Sequence, residues 1–128
     1  MKTITLFLLI ILLSSYSYKI TCDTSTLYGK WLLVDTYDEG DVDIDTLVNM
    51  KIFSHTGASI TYLRGDMLKN DNGNYTTTEY YTLDRGKCLI QCIGLTSLVQ
   101  RFFYIKHLDD QYLIGLERGK IYFYEKEE

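Results

Sequence analysis

Proline is absent from all 128 residues, so the chain must turn on glycine, asparagine and aspartate instead. Histidine is nearly absent too. His55 and His107 are the only two, and neither falls in a Gly-x-Ser-x-Gly, His-Glu-x-x-His or Cys-His setting. No recognisable catalytic constellation is left, and the sequence reads as that of a non-enzyme. Basic residues form no stripe, and 13 Lys and Arg stand against 17 Asp and Glu, a formal net charge of −4. A phosphate backbone would find little to hold it, which argues against nucleic acid as a partner. No apolar run approaches the roughly 20 residues that span a bilayer.

Metal chemistry is equally thin. The acidic run Asp41-Val42-Asp43-Ile44-Asp45 has Thr46 and Ile52 where a calcium loop needs glycine and glutamate. Cys88-x-x-x-Cys92 without a histidine nearby is poor zinc spacing. No metal and no cofactor is implied. The acidic run reads as a solvated loop that would repel anionic ligands or favour cationic ones.

What the chain has in abundance is tyrosine, 12 residues, a side chain suited to half-buried pleated surfaces. Its first residues have the three parts of a secretory signal peptide: Lys2, the apolar run Ile4 to Leu13, and small residues at Ser15 and Ser17. The expected division is a leader, 1–17, and a single domain, 18–128, secreted and without stable membrane insertion after cleavage. Lys19, three residues before Cys22, does not fit a lipidation box.

Export permits disulfides, and three cysteines follow the leader: Cys22, Cys88 and Cys92. Cys88 and Cys92 fall in one predicted strand, Lys87 to Ile93, about 13 Å apart at the rise of an extended chain. A disulfide needs Cα atoms within about 7 Å, so these two do not pair with each other. At most one of them pairs with Cys22. Cys22 and Cys92 are the candidate pair, with the third thiol left over.

From Thr26 onward the pattern is β, broken at short intervals by Gly, Asp and Asn. Strands are predicted at Tyr28–Tyr37, Asn49–Ser54, Ala58–Leu63, Tyr75–Leu83, Lys87–Ile93, Leu98–Leu108, Gln111–Leu116 and Lys120–Glu125. Met67 to Lys69 extends the third strand's sheet, and a helix of one or two turns fits near Asp43 to Asn49. About eight sequential strands with short connections make an all-β, antiparallel up-and-down meander. Such a meander closes into a small barrel more readily than it forms a Greek-key sandwich, which needs a long crossing loop.

Three segments carry a family resemblance. They are the opening Leu27-x-Gly29-x-Trp31-x-Leu33, the stretch Ile52-Phe53-Ser54-His55-Thr56-Gly57, and the closing part, a penultimate hairpin at Phe103 to Leu113 with the last strand at Lys120 to Lys126. In this order and spacing they resemble the lipocalin-like proteins of the calycin group. The resemblance implies a compact barrel whose base is plugged by Trp31 after Gly29. It also implies a cation stacked on that ring, for which Arg118 and Lys126 are the candidates. Avidin-type barrels open similarly, but their biotin pocket holds several tryptophans and this chain has one.

Phe53, Tyr62, Tyr81, Phe103 and Tyr104 are the candidate barrel lining, suited to a small hydrophobic ligand with one polar end. The expected function is therefore a secreted lipocalin-like protein that binds such a molecule inside the barrel. The alternative is a secreted interaction module that uses the barrel as a scaffold to bind a cell-surface or host protein. Arg64-Gly65-Asp66, at a predicted turn, is the candidate contact for that role. Asn74-Tyr75-Thr76 is an N-glycosylation acceptor, of consequence where the cell carries out that modification.

Overall fold

A computed structural model describes residues 22–50, 54–94 and 100–128. The expected leader and Phe53 lie outside the described residues. Eight strands follow in order: β1 (Gly29–Asp38), β2 (Ser59–Leu63), β3 (Met67–Asp71), β4 (Thr76–Asp84), β5 (Leu89–Gly94), β6 (Gln100–Leu108), β7 (Tyr112–Glu117) and β8 (Lys120–Lys126). Two short helices accompany them, α1 (Thr24–Leu27) and α2 (Ile44–Val48). Each strand pairs antiparallel with the next, and β8 pairs with β1 to close the barrel. The predicted all-β meander is the fold observed.

Side-chain alternation explains why these sequences form a wall with two faces. In β4, Glu79 and Tyr81 are buried while Tyr80 and Thr82 are exposed. In β6, Phe103 and Ile105 are buried while Phe102, Tyr104 and Lys106 are exposed. The inward set joins Trp31, Ile60, Tyr62, Leu68, Ile90, Cys92 and Leu113 in one core inside the barrel. A second core lies outside it. Val34, Tyr112, Ile114, Ile121 and Phe123 turn outward from β1, β7 and β8 and are covered by Leu47, with Ile44 and Val48 packed beside it. Hence Tyr112–Leu113–Ile114 is buried without interruption, because both faces of that wall are covered. A bulge between Leu33 and Asp35 accommodates the change on β1.

Two expected elements differ. The strand predicted at 49–54 is not one in its described part. Asn49 ends α2, and Met50 packs into the outer core, so apolarity read as a strand belongs to a helical turn laid on the wall. Met67–Asp71 instead forms a full strand, paired with β2 on one side and β4 on the other. The strand predicted from Lys87 starts at Leu89. Asp84 Oδ1 accepts from the N–H groups of Gly86 and Lys87 at 3.1 and 3.2 Å, closing a turn in which Cys88 takes φ 49°.

That turn bears on the disulfide. Cys88 faces the N-terminal segment and is bonded to Cys22, with Cα atoms 5.6 Å apart. Cys92 is free and buried in the core, so the Cys22–Cys92 candidate pair is corrected. On β5, Cys92 shares the inward phase of Ile90, whereas Cys88 has left the strand and can reach the barrel's end.

The end closed by α1 is the base. Asp23 caps α1 by accepting from Ser25 N at 3.2 Å, and its carboxylate pairs with Arg85 at 2.9 Å. Trp31 is fully buried there, and its Nε1 donates to the Leu27 carbonyl at 2.9 Å. Lys126 Nζ sits 5.1 Å from the centre of that ring and donates to the Thr26 carbonyl at 3.3 Å. Of the two candidate cations, Lys126 holds the position, and Arg118 lies in the β7–β8 turn at the opposite end. Gly29 is required twice over. Its φ is +121°, and a Cβ there would lie 2.9 Å from Lys126 Cε.

Candidate functional site

The opposite half of the barrel, toward the β1–β2, β3–β4 and β7–β8 connections, is not filled. A cavity of about 140 Å³ lies there, lined by Leu33, Ala58, Ser59, Ile60, Tyr62, Asn70, Asn72, Arg101, Phe103, Glu117, Tyr122 and Tyr124. Strand phase places these side chains. Tyr122 and Tyr124 alternate inward on β8, their rings stacked at 12° with centres 6.3 Å apart. Phe103 tilts against both, at 6.3 and 6.4 Å. Gly115 on β7 makes room for that ring, since a Cβ would lie 2.1 Å from Phe103 Cζ.

Charge inside the barrel is the unusual feature. Arg101 points inward in phase with Phe103, and its Nη1 donates to Glu79 Oε1 at 2.7 Å. Its Nε donates to Glu117 Oε1 at 3.4 Å. The side chains of Glu79, Glu117 and Arg101 are only 9, 13 and 23 % exposed, so β4, β6 and β7 are tied by a triad largely shielded from water. Burial alone would weaken the guanidinium's hold on its proton. Glu117 and Glu79 more than offset this, and the Arg101 pKa is raised.

The neutral polar groups respond to the same low-dielectric surroundings. Burial pushes the Tyr62 and Tyr124 phenols well above the ordinary tyrosine range. It carries the Cys92 thiol to about 12. These groups stay protonated near neutrality and act as hydrogen-bond donors. Tyr62 is 2 % exposed and lines the cavity.

The five sequence-predicted lining residues fare differently. Tyr62 and Phe103 meet in the cavity wall. Tyr81 is buried, packs edge-on against Tyr62 at 5.1 Å, and donates its hydroxyl to the Leu63 carbonyl at 3.3 Å, away from the cavity lining. Tyr104 is corrected: it is 45 % exposed on the outer face, because adjacent residues of one strand cannot both point inward. Phe53 lies outside the described residues. Arg101, Glu79, Glu117, Tyr122 and Tyr124 were missed. The available signal was phase: Glu79 alternates with Tyr81 and Leu83, and Arg101 with Phe103 and Ile105, so the charges fall on the apolar side.

The remaining marked residues lie apart from the cavity. Arg64-Gly65-Asp66 forms the exposed β2–β3 turn at the base, with Arg64 placed 5.6 Å over the Tyr28 ring. Asn74 is exposed in the β3–β4 turn, beside the open end. His55 pairs with Glu125 at 3.0 Å and His107 with Asp109 at 2.7 Å, both near the surface. Among the described residues no three His, Cys, Asp or Glu gather as a metal ion would require. A second hollow of about 320 Å³ lies against β4 and β5, where Tyr80, Thr82, Gln91 and Ile93 face outward.

Compared with protein-family models, curated proteins and solved structures, the chain matches none.

Proposed function

We propose that the protein is a secreted, lipocalin-like carrier that holds one compact small molecule in the open half of its barrel. The observation that carries this reading is the cavity itself, plugged at one end by Trp31 and walled at the other by rings and polar groups. An engineered apolar cavity of similar size, roughly 150 Å³, holds benzene, whereas drug-sized ligands occupy about 300–1,000 Å³. The ligand is accordingly ring-sized rather than a long acyl chain or retinoid. Its apolar body packs on Phe103, Tyr122 and Tyr124, and a polar end reaches Tyr62 and the Arg101 triad. The apolar leader and the Cys22–Cys88 bond support export, since disulfides persist in oxidising compartments. No helix among the described residues is long and apolar enough to cross a membrane.

The lipocalin-like affiliation rests on arrangement. A Gly29-x-Trp31 opening, an N-terminal turn across the base, a cation on the indole and an eight-stranded closed meander occur together.

The scaffold alternative is favoured by a different observation. Tyr80, Phe102 and Tyr104 are 51, 40 and 45 % exposed on the outer face of β4 and β6, beside the 320 Å³ hollow. Exposed apolar patches of this kind mark contact surfaces. One experiment separates the readings. Two-dimensional NMR of the protein with benzyl alcohol at increasing concentration should give saturable, one-to-one shifts on Tyr62, Phe103, Tyr122 and Tyr124. Shifts confined to Tyr80, Phe102 and Tyr104, or none at saturation, would overturn the carrier reading.

A further inference from the structure

We propose that the cavity is selective for a compact organic cation, an ammonium group carried on a body about one ring in size. This deepens the carrier reading and rests on it.

The charge balance inside the barrel gives the sign. Two carboxylates face one guanidinium, a net charge of −1 in a site shielded from water. Arg101 engages one oxygen of each carboxylate, and its bond to Glu117 is the longer, at 3.4 Å against 2.7 Å. Glu117 also lines the cavity, and its second oxygen has no bonded partner among the described residues. An ammonium placed there would complete two carboxylate–cation pairs. An anion would instead meet an excess of negative charge at low dielectric, where repulsion is strongest. A wholly apolar ligand would leave that charge without compensation.

Two further observations agree with this. The Tyr62 hydroxyl, carried by a residue of the cavity wall, offers an acceptor for a second N–H. The faces of Phe103, Tyr122 and Tyr124 supply the ring quadrupoles that attract a cation. Approach is also biased. Glu39 and Asp41 follow β1 at the cavity's end of the barrel, where Asp38 is already paired with Lys120, and the two carboxylates raise the local concentration of cations.

The test uses three probes of one shape, benzylamine, benzyl alcohol and benzoate, titrated calorimetrically into the intact protein near neutral pH. Benzylamine should bind roughly tenfold more tightly than benzyl alcohol, the difference between a charge-assisted and a neutral hydrogen bond, and benzoate weakest of all. In Glu117→Gln the preference for benzylamine over benzyl alcohol should fall below about threefold. Benzyl alcohol or benzoate binding as tightly as benzylamine would overturn the cation proposal and leave the carrier reading standing. Binding of none of the three would overturn both. The wild-type series decides the matter even if Glu117→Gln does not fold.

Discussion

Single residues set the shape of this barrel where side chains cross its axis. Gly115 is the clearest case. It stands on β7 where Phe103 projects from β6, and the ring occupies the space a Cβ would take. Gly115→Ala must therefore displace Phe103 toward Tyr122 and Tyr124, into the cavity. Overpacking of a closed core costs about 1–3 kcal/mol. The expected outcome is a lower urea midpoint with unchanged m-value, together with weaker binding of benzyl alcohol. Wild-type stability and affinity in this variant would show that the ring is not packed against the glycine. Nothing in the sequence singled out Gly115, because the demand on it comes from a side chain on another strand. Gly29 and Trp31 were legible for the opposite reason. A glycine two residues before the sole tryptophan is a local pattern, and the cation it accompanies arrives from β8 as the last strand completes the closure.

At the level of elements, the base is an assembly of weak pieces that one covalent bond keeps together. α1 has four residues, far too few to be stable alone. It is held by the Asp23–Arg85 pair, by Trp31 and Lys126 donating to its carbonyls, and by the Cys22–Cys88 bond across 66 residues. Closing a loop of that length removes about 4 kcal/mol of denatured-chain entropy in the simple model, and native disulfides are worth about 2–5 kcal/mol. Reduction, or Cys88→Ser, should lower stability by that amount and let α1 leave the indole. Trp31 is the only tryptophan, so its emission should shift to the red at denaturant concentrations below the main transition. An unchanged midpoint and unchanged emission on reduction would show that the bond contributes nothing to closure. The strands themselves were largely legible from alternation and turn residues, and the β7–β8 hairpin fell within a residue of its prediction. The errors share one cause. Apolar residues near Met50 pack on the outside of the wall, and Cys88 leaves the strand for a turn with positive φ. Both depend on contacts that a linear pattern does not contain.

For the whole molecule, the interior is a common medium in which charged and neutral groups are coupled. The triad of Arg101, Glu79 and Glu117 keeps its charges through mutual pairing, while the surrounding acids are held neutral by burial. This predicts an alkaline limit to the fold. Tyr81 is raised to about 12 and Cys92 to about 12, with burial the largest cause in each, and Tyr62 and Tyr124 are raised as well. In the unfolded chain these groups would ionise near their ordinary values, about 8.5 for the thiol and 10 for the phenols. Between those values and the folded ones, the native state binds more protons than the unfolded state, so stability falls as pH rises. Their contribution is present in full below the unfolded values and is lost as pH climbs through about 12. Tyrosinate absorbance should therefore rise in two steps. Phenols open to solvent ionise first, without change in the far-ultraviolet dichroism. The buried ones follow in a steep second step that coincides with loss of β signal and with the first reaction of Cys92 with a thiol reagent. A single smooth ionisation near pH 10 with the β signal intact would mean that water reaches the interior freely. In that case the cavity would lack the low dielectric on which its preference for a cation depends.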